Sequence, residues 1–164
     1  DGLRDTLREG GVAVTPDWQQ ADAVVTGLDF RVSYEALAEA GLAIQNGATF
    51  YATNADASYP RPDGLYPGAG ALTSVVERTT GVAPIVCGKP FGPMREMLEN
   101  VGGEHPLIIG DRPDTDIALG KAEGWATALV LTGVTKDPST VPAIWEPTVV
   151  LDSIRQLPDA LGLT

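Results

Sequence analysis

The residues Leu107-Ile108-Ile109-Gly110-Asp111-Arg112-Pro113-Asp114-Thr115-Asp116-Ile117 place carboxylates where an apolar strand gives way to a helix. Asp111 sits at the carboxyl end of that strand, where open α/β sheets hold their ligands. Asp116 returns in the first helical turn, close to the same point. Two carboxylates converging there form a hard oxygen site suited to magnesium. The plainer alternative is that Asp114 or Thr115 caps the helix and Asp116 complements its dipole.

A second cluster is Cys87-Gly88-Lys89-Pro90. Gly88 allows close backbone approach, Pro90 directs the chain into a helix, and Lys89 can neutralise a phosphate as a compact point charge. The alternative is a solvated loop lysine. A phosphate-cradling P-loop is excluded, because its upstream glycine is absent and proline follows the lysine. At the end of another strand, Asn54 and Asp56 can bind a ligand or make local side-chain turns. The glycine-rich turn Pro67–Gly70 opens a helix and can hold an anion. His105 sits in a turn between Glu104 and Pro106 with no second histidine to pair with, so no catalytic or ligand role is expected of it; nor does a convincing Ser-His-Asp set assemble around this one histidine. The single cysteine, Cys87, reads as a small buried residue.

Strands and helices must carry these groups. The sequence predicts helices at Leu3–Glu9, Tyr34–Asn46, Ala71–Thr80, Pro93–Val101 and Thr115–Glu123, and a last one from the cap Ser153 to about Leu161. Strands are predicted at 12–14, 23–27, 48–53, 85–87, 107–109, 126–132 and 149–151. The stretch Asn54–Gly70, dense in proline and glycine, reads as a long loop, functional or mobile. Strand and helix alternate almost throughout, which argues an α/β fold with a parallel, helix-covered sheet.

Across 164 residues, 11 Lys and Arg face 22 Asp and Glu, a net charge of −11. That field repels phosphate backbones and anionic lipid, so no nucleic-acid or membrane partner is expected. A small phosphorylated metabolite remains compatible, because a local site overrides the global field. One cysteine excludes a disulfide framework and a cysteine-rich zinc site. No apolar run reaches the roughly 18 residues that a membrane helix needs, and the start Asp1-Gly2-Leu3-Arg4-Asp5 has no signal-peptide character. A cytoplasmic location is expected.

Taken in order, Val24-Val25-Thr26-Gly27-Leu28-Asp29, Ala52-Thr53-Asn54-Ala55-Asp56, Pro67-Gly68-Ala69-Gly70, Gly88-Lys89-Pro90, Gly110-Asp111 through Ile117, and Leu131-Thr132-Gly133-Val134 form a specific set. The chain strongly resembles the haloacid dehalogenase (HAD) superfamily, and more narrowly its NagD, 4-nitrophenyl phosphatase and phosphoglycolate phosphatase branch. The resemblance implies a partial Rossmann-like core plus a large α/β cap, with residues 1–84 most of the cap and 85–164 the second half of the core. It implies a magnesium-dependent phosphomonoesterase working through an aspartyl-phosphate. Lys89 would steady the nucleophile and phosphoryl group. Asp111 would bind magnesium, and Asp116 would complete that motif by orienting a metal-bound water or the lysine. The loop Ala57–Tyr66 would contribute to substrate specificity, with Tyr59 and Arg61 beside Asn54 and Asp56 as substrate-binding candidates. Caps of this branch often pair, so a homodimer through the cap is expected.

The family's Asp-x-Asp-Gly-Thr motif, whose first aspartate attacks phosphorus, does not occur in these residues, nor does its phosphate-binding Thr/Ser motif. Asp114-Thr115-Asp116 belongs to the acidic motif instead. The expectation is therefore a chain that begins inside the cap and is inactive alone, since phosphoryl transfer of this type needs an in-line nucleophile. The rival reading is a non-catalytic, truncated module acting through self-association. A nucleotide-binding α/β domain is a further rival, but Gly68-Ala69-Gly70 is not continued to a Gly-x-Gly-x-x-Gly turn.

Overall fold

A computed structural model describes residues 2–98 and 103–162. The chain divides into two compact units, Asp1–Cys87 and Gly88–Thr164. The end of the helix expected at Pro93–Val101, together with Gly102 and Asp1, lies outside the described residues.

The first unit opens with α1 (Gly2–Glu9). Its carboxyl end closes through Gly11 at φ 81°, with Gly11 N–H donating to the Arg8 carbonyl and Val12 N–H to the Leu7 carbonyl. This left-handed closure is the usual reason for glycine past a helix end. The strand expected at 12–14 does not form: Val12 has its N–H engaged in that cap and stands 50% exposed. A parallel sheet follows, made of β1 (Ala23–Thr26), β2 (Thr49–Ala52) and the short β5 (Ile85–Val86), in the order β1-β2-β5. Between β1 and β2 runs α2 (Tyr34–Gln45), capped as predicted by Ser33 Oγ, which accepts from Ala36 N–H at 3.1 Å. Ile44, Phe50 and Val76 form the core beneath it, flanked by Val24, Leu37 and Ala40.

The stretch read as a loop contains an antiparallel hairpin, β3 (Ser58–Arg61) and β4 (Gly64–Pro67), with Tyr59 opposite Tyr66. The Pro62-Asp63 turn with Gly64 at φ 142° reverses the chain. Its prolines misled the reading, because a two-stranded ribbon has only edges and proline is tolerated there. Helix α3 (Ala69–Thr80) follows and ends at Gly81. Its close start has a steric cause: a Cβ at Gly68 or Gly70 would fall on the carbonyls of Asp56 and Ala55.

The second unit contains α4 (Gly92–Leu98) and a parallel sheet of β6 (Leu107–Gly110), β7 (Ala126–Val130) and β8 (Val149–Leu151), in that order. A π turn over Pro113–Ile117 runs into α5 (Ala118–Glu123), so the helix expected at Thr115–Glu123 starts earlier and wider. The cause is Arg112, whose carbonyl accepts from both Asp116 and Ile117 N–H. Ser153 Oγ caps a short 3-10 turn leading to α6 (Leu157–Ala160). The core packs Ala128, Val130 and Leu151 against Leu107, Ile109 and Val149. Ile117 and Leu119 are fully buried, which stabilises the π turn and α5 against the sheet by about 1.5–3 kcal/mol each. The alternation predicted for one sheet is thus carried by two three-stranded parallel sheets, one in each unit.

Candidate active site

All three strands of the second sheet run parallel, so their carboxyl ends lie on one side. Asp111 leaves β6 there, and Asp116 folds back through the π turn. Asp116 is the buried carboxylate of the site, its side chain 7% exposed. Its Oδ2 accepts from Asp111 N–H at 3.2 Å and Arg112 N–H at 3.1 Å, and its Oδ1 accepts from Lys89 Nζ at 2.6 Å. The carboxylate also lies directly against Gly110, where any Cβ would overlap it. Asp116 therefore joins Lys89 to the main chain of Asp111 and has protein partners on both oxygens. Single-turn π segments of this kind recur at functional sites.

Lys89 lies two residues after Cys87, which is half-buried rather than buried as expected, and precedes a cis Lys89–Pro90 peptide bond. Its side chain is 47% exposed, so the ammonium is held by Asp116 on one side and reaches solvent on the other. With three donors on the ammonium, it keeps protons for a second, anionic partner. Asp111 uses one oxygen: Oδ2 accepts from Val134 N–H at 2.5 Å, while among the described residues Oδ1 has no hydrogen-bond partner.

Magnesium fits this donor set in one respect. The ion keeps several waters and binds through one or two carboxylates, and half-buried Asp111 offers a carboxylate oxygen with no hydrogen-bond partner among the described residues. Among the described residues no group of three or more acidic, histidine or cysteine side chains gathers around it, so Asp111 is one ligand rather than a complete cage. Asp116 is less suited, because both its oxygens are engaged. Asp114 takes neither role: it accepts from Arg112 Nη2 at 3.0 Å, and no side chain caps the turn.

The other candidates lie in the first unit. Asn54 makes a local turn, its Oδ1 accepting from Asp56 N–H at 3.0 Å. Tyr59 stands between Phe30 and Tyr66, each ring centroid 6.0 Å away, and its buried hydroxyl has no partner among the described residues. Arg61 lies 4.7 Å above the Tyr66 ring, an arrangement that favours a cation over an aromatic face. The Tyr66 hydroxyl donates to Asp63 at 2.7 Å, and this bond, with some desolvation, holds its pKa above the usual tyrosine value. Residue-type reasoning did not single out Phe30 or Tyr66, nor the Val134 amide that grips Asp111. A glycine directly after an apolar strand, Gly133, was the available signal for the last. His105 lines a cavity of about 440 Å³ with Pro106 and Trp125, at the amino ends of β6 and β7 and so at the opposite end from Asp111.

Comparison with known proteins adds the family context. Residues 86–157 match the HAD-hydrolase-like family model. The chain is 40% identical over 159 residues to the 5'-nucleotidase YutF of Bacillus subtilis, covering 95% of this chain and 61% of that protein. It is 46% identical over 136 residues to the acid sugar phosphatase of Staphylococcus aureus, covering 81% of this chain and 52% of that protein. Among solved structures, the glycerol phosphate phosphatase Rv1692 from Mycobacterium tuberculosis in complex with magnesium superposes with a TM-score of 0.84 at 34% identity, covering 94% of this chain and 48% of that one. The chain thus spans 61% and 52% of the length of these two curated relatives.

Proposed function

From the premise that this chain belongs to the HAD superfamily, in its NagD-like branch, we propose that it supplies the lysine and acidic groups of a magnesium-dependent site hydrolysing small phosphomonoesters. Residues 85–164 form the part of the catalytic core that carries those groups, and residues 1–84 form most of a cap. The observation that carries this reading is the Asp116 carboxylate, which holds the Lys89 ammonium at 2.6 Å and the main chain of Asp111 at once.

The roles follow from the contacts. Lys89 offers its solvent-facing donors to a phosphoryl oxygen and to the carboxylate that attacks phosphorus. Asp116, acting through Lys89, is a positioning residue: it fixes the ammonium in place. Asp111 would hold the cation through its free oxygen. Magnesium supplies Lewis-acid stabilisation of phosphoryl charge when bound there. The attacking carboxylate is not assigned to any residue of this sequence, which contains no Asp-x-Asp-Gly-Thr motif. The 164-residue polypeptide by itself is therefore proposed not to turn over phosphomonoesters.

Tyr59 and Arg61, with Asn54 and Asp56, are proposed to contact the organic part of the substrate. The phenol without a partner and the guanidinium over a ring support Tyr59 and Arg61; the local turn weakens the case for Asn54. Self-association through the first unit is supported by Phe30 and Leu65, 73% and 72% exposed, and the same feature favours the non-catalytic reading as the alternative. Among the described residues no helix is long and apolar enough to cross a membrane, and a cytoplasmic location is proposed.

The test is phosphorus NMR of inorganic phosphate with the purified polypeptide. Line broadening should require both Mg²⁺ and Lys89, and should vanish in K89M. Equal broadening in wild type and K89M would refute the assignment. Steady hydrolysis of an aryl phosphate by the isolated chain would refute the absence of a nucleophile.

A further inference from the structure

The geometry points to the turn Thr132–Thr135, through Gly133 and the amide of Val134, as the device that positions Asp111. This rests on the reading of Asp111 as a cation ligand and deepens it, by naming what aims the ligand's free oxygen. Val134 N–H donates to Asp111 Oδ2 at 2.5 Å, and Thr135 N–H donates to the Asp111 carbonyl at 3.2 Å. One turn therefore grips both the side chain and the main chain of the same residue.

The turn is anchored on both flanks. Leu131 N–H donates to the Leu151 carbonyl at the end of β8, and Lys136 Nζ donates to the Thr132 carbonyl at 2.9 Å. Gly133 is demanded by space. Its φ is not in the left-handed region, but a Cβ there would fall on the Asp111 carboxylate. The absent side chain is the slot in which the carboxylate lies.

The consequence is directional. With Oδ2 tied to an amide, Asp111 presents Oδ1 alone, in a fixed orientation. A single carboxylate oxygen suits a small octahedral cation that keeps its waters, whereas larger cations accept both oxygens of a carboxylate. Groups that orient a metal ligand typically change metal affinity about 10- to 100-fold when removed.

The test compares wild type, G133A, V134P and D111N, with G92A as control, since a Cβ at Gly92 meets nothing within 4 Å. Mn²⁺, a paramagnetic stand-in for Mg²⁺, is titrated and free ion is read by electron paramagnetic resonance. Nitrogen-15 spectra without metal follow the Val134 amide. In both G133A and D111N the amide should move upfield, and in G133A Mn²⁺ affinity should fall about 10- to 100-fold, with G92A behaving as wild type. Should G133A not fold, V134P, which deletes the donor and keeps Gly133, should show the same loss of affinity. Loss in D111N with wild-type affinity in the folded turn variants would overturn the positioning role alone. Equal affinity in wild type and D111N would overturn Asp111 as a ligand, and this inference with it.

Discussion

Replacing Asp116 by alanine should remove a large part of the stability of residues 88–164, and more than either D116N or K89M. The side chain is 7% exposed and accepts from Lys89, Asp111 and Arg112. Alanine leaves two main-chain N–H groups without their acceptor, at about 1–3 kcal/mol each. Loss of the ion pair adds less, because the lysine side chain is 47% exposed and water screens it. A loss of about 3–4 kcal/mol results, against the roughly 5–15 kcal/mol typical of a domain. At about 4–8 °C per kcal/mol for a unit of this size, the melting temperature should fall by about 12–32 °C. Asparagine keeps an oxygen for both amides while setting an NH₂ group against the ammonium, so D116N should lose only about 1 kcal/mol, and K89M a similar amount. Urea unfolding followed by tryptophan fluorescence in a W18F background reads this unit, since Trp125 and Trp145 both lie within it. Equal losses in D116A and D116N would refute the reasoning, because the amides would then not depend on the carboxylate.

Three further outcomes follow from the geometry. G120A should destabilise the second unit by about 1–3 kcal/mol in the same assay, because its Cβ would overlap Thr127 Cγ2 and press on Ile108 where α5 crosses the sheet. T73V should weaken the first unit by about 1 kcal/mol, since it breaks the 2.8 Å hydroxyl pair between Thr26 and Thr73 that ties β1 to α3; unfolding read from Trp18 measures it. Tyr66 should titrate above the ordinary tyrosine value, because its phenol donates to Asp63 and is partly desolvated. The folded value is raised, so this bond's contribution to the hairpin is complete below about pH 10 and is lost as pH rises through the raised value. Ultraviolet titration should show the high-pH component moving down in D63N and disappearing in Y66F.

How far the sequence discloses this molecule depends on how local the cause is. Helix α2 is legible because its cap, Ser33, and its apolar spacing lie within a dozen residues. Asp111 is legible because an apolar strand ends on it, and the return of Asp116 follows from spacing along one turn. The pairing of Asp116 with Lys89 joins residues 27 apart, and only the resemblance to a family suggests a link between those two motifs. The hairpin is hidden by its composition: Pro60, Pro62 and Pro67 signal turns, yet an isolated ribbon leaves free edges where no N–H is needed. The missing strand at 12–14 fails for the opposite reason, since its apolar pattern is right but its first amide closes α1. Gly133 shows in sequence only as a glycine after an apolar strand, and its meaning lies in a carboxylate 22 positions earlier.

The most direct test of the central claim, that Lys89, Asp111 and Asp116 build one cation- and phosphate-binding site at the strand ends, is a map of Mn²⁺ relaxation on the amide spectrum. Broadening should centre on Asp111, Arg112 and Val134, extend to Lys89, spare the Trp125 side of the sheet and vanish in D111N. Broadening centred elsewhere, or unchanged in D111N, would contradict it.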